Sequence, residues 1–157
     1  MRLHHPKTAS MGRKDRLTAE QRSENMRAIK AFGTKPERVV ELWFRKLRLR
    51  YRKHDHNLPG RPDFVFGRLR KIVLVHGDFW HGWRFPFWKA RLPKGYWRAK
   101  IERNRTNDLQ NRRRLRKLGW EVLVIWEHQI RNAPGTTFGR LGAFLCCRLS
   151  AEEDSSK

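Results

Sequence analysis

Three short apolar runs dominate the folding problem of this chain: DFVF at 63–66, KIVLVHG at 71–77 and EVLVIW at 121–126. They lie among 157 residues of which a third are charged. Each has the length of a strand, is rich in β-branched or aromatic residues, and is bounded by turn formers. The Pro59–Gly60 pair marks a sharp reversal before the first run, and the four residues GRLR predict a hairpin between the first and second. EVLVIW is apolar almost throughout, which predicts a central strand covered on both faces.

Helical signals surround these runs. Thr18, with Gln21 three residues later, predicts an N-cap for AEQRSENMRAI, and FGTK ends that helix. Pro36 suits the first turn of a second helix reaching about Arg48, on which Glu37, Val40, Phe44 and Leu47 form one inward stripe. A long helix is expected from Tyr96 to Leu118, closed by Gly119. Its inward stripe reads Trp97, Ile101, Asn104, Asp108 and Leu115, with Leu109 and Leu118 alongside. Two polar residues thus interrupt it one turn apart. A last helix is expected near 136–148. The segment GDFWHGWRFPFWKARLPKG, dense in aromatics and punctuated by Gly and Pro, reads as a functional loop.

The fold class expected is therefore α/β of the α+β-like kind, a small mixed sheet flanked by helices in a single domain. The length supports one core. Residues 1–17 read as a basic flexible arm, 18–149 as the folded domain and 150–157 as a polar tail.

The chain carries 37 Lys and Arg against 15 Asp and Glu, a formal charge of +22. Self-repulsion of that size points to a polyanionic partner, with nucleic acid first. An anionic membrane surface fits less well, because no basic amphipathic helix stands apart from the globular pattern. There is no run of 18 apolar residues, and no apolar segment suits a signal peptide, so a cytoplasmic location is expected. Cys146 and Cys147 are adjacent, form neither a disulfide framework nor a CxxC site, and read as reduced, buried thiols.

In so basic a chain, a carboxylate inside an apolar segment needs a reason. Phosphodiester hydrolysis needs charge neutralisation at phosphorus and a positioned water. Hard oxygen ligands to Mg²⁺ supply the first, and a histidine or carboxylate base the second. Asp63 opens a strand, so the sheet orients it; its plainer reading is a turn cap after Pro62. His76 ends the next strand, and His81 follows across a glycine-containing bend that also holds Asp78. Glu37 begins an apolar helix face, although an acid there also complements the helix dipole. Asp108 sits on the buried stripe of a helix otherwise rich in Arg and Lys, where it meets either a cation or a site. Phe79, Trp80, Trp83, Phe85, Phe87 and Trp88 lie within ten residues. They are core rings, or a wedge and stacking platform for bases.

Taken in order, NMRAIKAFGTKPE, LPGRPDFVF, VLVHGDFWH and IERNRTNDLQNRRRLRKLGWEVLVIWE resemble the very short patch repair (Vsr) mismatch endonucleases over roughly residues 20–131. The resemblance implies a restriction-endonuclease-like core that uses Mg²⁺ to nick double-stranded DNA 5′ of the thymine in a T·G mismatch. It implies Asp63 as the metal-binding aspartate, His76 and His81 as site histidines with His81 the base, Glu37 as the helix-borne glutamate, and Asp108 as the acidic partner on the long helix. Phe79, Trp80 and Met26 match the wedge that enters the duplex. Val75 stands where the family commonly has Thr: a metal held there by the backbone carbonyl is served equally by valine, and one held by a hydroxyl is not. The family's structural zinc is expected to be absent, because the matching positions are Asp78, Trp83, Phe85 and His128. A monomer acting on mismatched duplex in a prokaryotic nucleoid, with other mismatch-repair proteins as further partners, completes the expectation. The competing readings are a restriction- or homing-type nuclease with another target, and a non-catalytic basic protein that binds DNA or RNA.

Overall fold

The three apolar runs become neighbouring strands of one sheet in the computed structural model, which describes residues 18, 20–21, 33–92 and 95–146. Met26, the expected arm at 1–17 and the tail at 150–157 lie outside the described residues. Helix α1, Lys35–Lys46, starts at Thr34, whose hydroxyl accepts the Glu37 N–H while the Glu37 carboxylate reaches back to Thr34. The Thr18–Gln21 cap is also present: the Gln21 N–H donates to Thr18 Oγ1 at 3.2 Å, and the Thr18 N–H to Gln21 Oε1 at 3.0 Å.

The sheet has the order β1 (Arg52–Lys53), β2 (Phe64–Phe66), β3 (Lys71–His76), β4 (Glu121–Trp126). The first two pairings are antiparallel, and β3 runs parallel to β4 from Lys71 opposite Glu121 to His76 opposite Trp126. The hairpin through residues 67–70 is as expected. A parallel pair requires a crossover. Here it contains the short helix α2 (Phe85–Trp88), a 3₁₀ turn at Lys89–Arg91, and the long helix α3 (Tyr96–Lys117). After β4 come α4 (Glu127–Asn132) and α5 (Pro134–Cys146).

Strand alternation splits the apolar residues between two faces. Phe64, Phe66, Val73, Val75 and Ile125 pack with Val40 and Phe44 of α1 and with Ile130, Leu141 and Leu145 of α4 and α5. Phe44 meets the rings of Phe64 and Phe66 edge-on, each at 5.0 Å. On the other face, Val65 and Ile72 pack with Leu115 and Trp120. Each fully buried ring or branched side chain of this kind contributes about 1.5–3 kcal/mol.

Four expectations change. EVLVIW forms the terminal strand of the described sheet and not a central one, with only Ile125 of its six residues buried. Its apolar character is explained by helices on both faces, since Leu123 packs against one core and Val122 against the other. Its outer edge is met by side chains: Arg140 donates to the Val124 carbonyl at 3.1 Å, and the Trp126 N–H donates to Gln129 Oε1 at 3.1 Å. Leu47, Leu109 and Leu118 are exposed, because the helix stripes are narrower than their spacing suggests. Cys146 is exposed. The pair Arg52–Lys53 makes a short strand where a turn-rich connection was expected from residue 53. No helix among the described residues is long and apolar enough to cross a membrane.

Candidate active site

One cleft of about 760 Å³ opens where β2 begins and β3 ends, between the start of α1 and the middle of α3. Asp63, the residue before β2, is clamped from two sides. Its Oδ2 accepts the Val75 N–H at 2.7 Å, and its backbone carbonyl accepts the His54 N–H at 3.4 Å. A residue's N–H and C=O lie on the same side of a strand, so the Val75 carbonyl also faces the Asp63 edge. Burial, only partly offset by the Val75 N–H and reinforced by the Glu37 charge, raises the Asp63 carboxyl to about 7.

Glu37 is 3 % exposed although it stands in the first turn of a helix. The Gly33 N–H holds its Oε2 at 2.8 Å and the Thr34 hydroxyl its Oε1 at 2.8 Å. His54 stands near both carboxylates, with Nε2 3.7 Å from Glu37 Oε2 and Nδ1 3.9 Å from Asp63 Oδ1. Ligand atoms of Glu37, His54 and Asp63 all lie within 4.8 Å of one another. Burial lowers the His54 pKa, and the Glu37 charge opposes that shift.

A second cluster occupies the other wall. His76 closes β3 with its ring stacked on that of His81, centroids 3.9 Å apart and 11° from parallel. His81 Nδ1 lies 2.7 Å from Asp108 Oδ2. A carboxylate at that distance accepts a hydrogen bond from Nδ1–H and leaves Nε2 as the open position of the ring. The Asp108 carboxylate thereby finds its partner in an imidazole. Burial, with His81 adding to it, pushes the His76 pKa down to about 3, so its ring is neutral at pH 7. The two polar interruptions of the α3 stripe act together. One turn before Asp108, Asn104 donates to the Trp80 carbonyl at 3.0 Å. Both side chains fasten the loop between β3 and α2 to the long helix.

Asp63, Glu37, His76, His81 and Asp108 all line this cleft, but as two clusters and not as one ring of ligands. Asp78 does not join them. It turns to β4 and α4, where its Oδ1 lies 2.6 Å from His128 Nδ1. Trp83 covers His128 at 4.4 Å, and Phe85 is buried at 1 % exposure. A carboxylate and an imidazole already paired, with an indole and a phenyl ring at the other two positions and neither offering a lone pair, do not make up a tetrahedral zinc donor set. His54 carries no mark in the sequence. Its neighbours Asp55 and His56 are polar too, so nothing in that stretch distinguishes it.

The aromatic segment divides. Phe85 belongs to the interior. Phe79 is 42 % exposed, edge-on to Trp80 at 4.8 Å and stacked on Trp88 at 5.6 Å. Trp80 lines the cleft and leans on Trp97 at 5.7 Å. Lys35, Arg38, Arg61 and Lys100 line the same cleft, so a phosphate entering it meets cations before it meets the carboxylates.

Residues 14–86 match the family model described as DNA mismatch endonuclease Vsr. The chain is similar to the type II nicking enzyme V.NmeDIP of Neisseria meningitidis serogroup C, with 42% identity over 74% of this chain and 80% of that protein. It is similar to the type II nicking enzyme V.XorIIP of Xanthomonas oryzae pv. oryzae at 38% identity, covering 74% of this chain and 86% of the relative. The DNA mismatch endonuclease Vsr of Escherichia coli K12 is 38% identical over 74% of this chain and 75% of its own length.

Proposed function

This chain belongs to the family of the DNA mismatch endonuclease Vsr, with its restriction-endonuclease-like core, and from that premise we propose that it nicks double-stranded DNA 5′ of the thymine at a T·G mismatch in a Mg²⁺-dependent reaction. The observation that carries the reading is the His81–Asp108 pair at 2.7 Å, stacked on His76 in the cleft that also holds the buried Asp63 carboxyl.

The Asp63 carboxylate and the Val75 carbonyl would hold the divalent cation, which neutralises charge on the scissile phosphate. The residues themselves divide the remaining work. Asp108 fixes the His81 tautomer, so Nε2 takes the proton of the attacking water. Proton uptake there creates an imidazolium beside Asp108, whose negative charge stabilises it. His76, neutral and stacked against that ring, donates a hydrogen bond to a phosphate oxygen and limits the sway of the His81 side chain. Glu37, fastened by backbone and hydroxyl donors, orients water near Asp63. Lys35, Arg38, Arg61 and Lys100 seat the backbone of the strand.

Mismatch preference follows from the rings at the cleft. Phe79 and Trp80 enter the stack as a wedge, and the cost of unstacking is smallest at a mispair. The substrate is a mismatched duplex, and the protein acts as a monomer.

The test is a nicking assay on matched, T·G and other mispaired duplexes, with Mg²⁺ or with chelator. Nicking of the T·G duplex in Mg²⁺ alone is expected. Asp63→Asn should reduce it by at least about a thousandfold while duplex affinity stays within a few-fold. Trp80→Ala should lower the rate on mismatched duplex by tenfold or more with a much smaller fall in melting temperature. A wild-type protein that binds duplex but never cuts it, at any mismatch or with any divalent cation, would refute the reading.

A further inference from the structure

His54 is held beside Glu37 and Asp63 by the fold. It follows β1 in the left-handed region, φ 48°, and its N–H donates to the Asp63 carbonyl. A non-glycine residue in that conformation is uncommon, and here it aims the imidazole between two acids. The separations of 3.7 Å to Glu37 and 3.9 Å to Asp63 exceed a hydrogen bond. An imidazole gives a cation one ring nitrogen, and one ligand atom from each of Glu37, His54 and Asp63 lies within 4.8 Å of the other two, close enough for a small shift to bring all three onto one ion. The acids on either side are themselves fixed, Glu37 by Gly33 and Thr34, and Asp63 by Val75. Such a set is preorganised and needs little rearrangement to take up an ion.

We propose that His54 is a third side-chain donor beside Glu37 and Asp63, and that it makes the cation site a mixed nitrogen–oxygen one, selective for first-row transition-metal ions over Mg²⁺. This rests on the reading of Asp63 as the metal carboxylate. All-oxygen sites suit Mg²⁺, whereas an imidazole ligand adds affinity for ions such as Co²⁺ far more than for Mg²⁺. Mg²⁺ still binds through the Asp63 carboxylate and the Val75 carbonyl and supports nicking, while a transition-metal ion binds more tightly and draws in the His54 nitrogen and the Glu37 carboxylate as well.

Co²⁺ is the probe, because its visible d–d spectrum reports nitrogen ligation and needs neither DNA nor turnover. Titration of the wild-type protein should give a Co²⁺ dissociation constant at least tenfold below that for Mg²⁺, measured by calorimetry. His54→Ala should weaken Co²⁺ at least tenfold, shift the visible band, and change Mg²⁺ affinity less than threefold. His54→Gln, close in size and unable to supply an imidazole nitrogen, should behave like His54→Ala. In wild-type protein, Co²⁺ should displace the His54 ring-proton resonances, a reading that no variant need fold to supply. The proposal is overturned if Co²⁺ leaves those resonances in place, or if a folded His54 variant keeps wild-type Co²⁺ affinity within twofold. Asp63→Asn separates the two levels. If it abolishes Co²⁺ binding while the His54 variants do not, only the role of His54 falls; if Co²⁺ binds unchanged to Asp63→Asn, the reading of Asp63 falls with it.

Discussion

Asp63 and His76 carry opposite pH signatures, and both originate in burial. With its carboxyl raised to about 7, native Asp63 keeps a proton that the unfolded chain has already lost above the ordinary value of 3.8. Native stability therefore falls as pH rises through that window. His76 has the reverse sign: the unfolded chain takes up a proton below about 6.5 that the native ring refuses until about 3, so stability falls as pH falls. Asp63→Asn isolates the first effect, since it never ionises and leaves His76 unchanged. In chelator its melting temperature should exceed that of the wild type by at least about 3 °C at pH 8, and by less at pH 5. An offset that is the same at both pH values would exclude the buried carboxylate as its source. Glu37, Asp63, His76 and Asp108 were legible in the sequence because each is a polar residue in or at the end of an apolar run or stripe, and His81 because it follows His76 across a short glycine-containing bend. His54 was not, for it lies among other polar residues in a connection, and only the closure of β1 on β2 brings it to Asp63. Asp78 was grouped with the two histidines by proximity in sequence, and a bend of three residues was enough to send it to the other side of the loop.

At the scale of elements, the join between the β3–α2 loop and α3 decides whether His81 is in place. Gly82 has φ 67°, and a Cβ there would lie 2.6 Å from Arg105 Cδ and 2.9 Å from Ile101 Cγ2. The arginine tip can swing aside, but Ile101 is fully buried and cannot. Gly82→Ala should cost about 2 kcal/mol through left-handed strain and crowding combined, seen as a melting temperature lowered by roughly 4–8 °C. Because His81 is the preceding residue, nicking at a temperature where the variant is folded should fall by more than tenfold. Retained activity would show that the loop reaches Asp108 without this close packing. The hairpin, the long helix and its polar interruptions were readable from periodicity and punctuation. The place of EVLVIW was not: an apolar strand covered by helices on both faces has the same pattern whether it is central or terminal, and lateral position depends on pairing that one strand's composition does not encode. The width of a helix stripe was overread for a similar reason, since Leu109 and Leu118 keep the spacing of the buried positions yet face solvent.

For the whole molecule, a formal charge of +22 and a cleft lined by lysine and arginine make association with duplex DNA a salt-sensitive event. With six or more phosphates neutralised, affinity for any duplex should drop by about a thousandfold or more between 50 and 200 mM salt, with mismatched and matched DNA weakening in parallel. A shallow dependence would mean that few of these cations reach phosphate. The proposed preference for a mispair, carried by the uncharged rings at the cleft, should survive at high salt. The treatment of β4 has a consequence for a protein that must stay dispersed at so high a charge. Where a free strand margin would invite an extended segment of another chain to dock, Arg140 and Gln129 already occupy the Val124 carbonyl and the Trp126 amide. Lateral growth along that half of the margin would have to displace both side chains first, so sheet-to-sheet polymerisation is disfavoured there even after DNA has cancelled the repulsion between molecules.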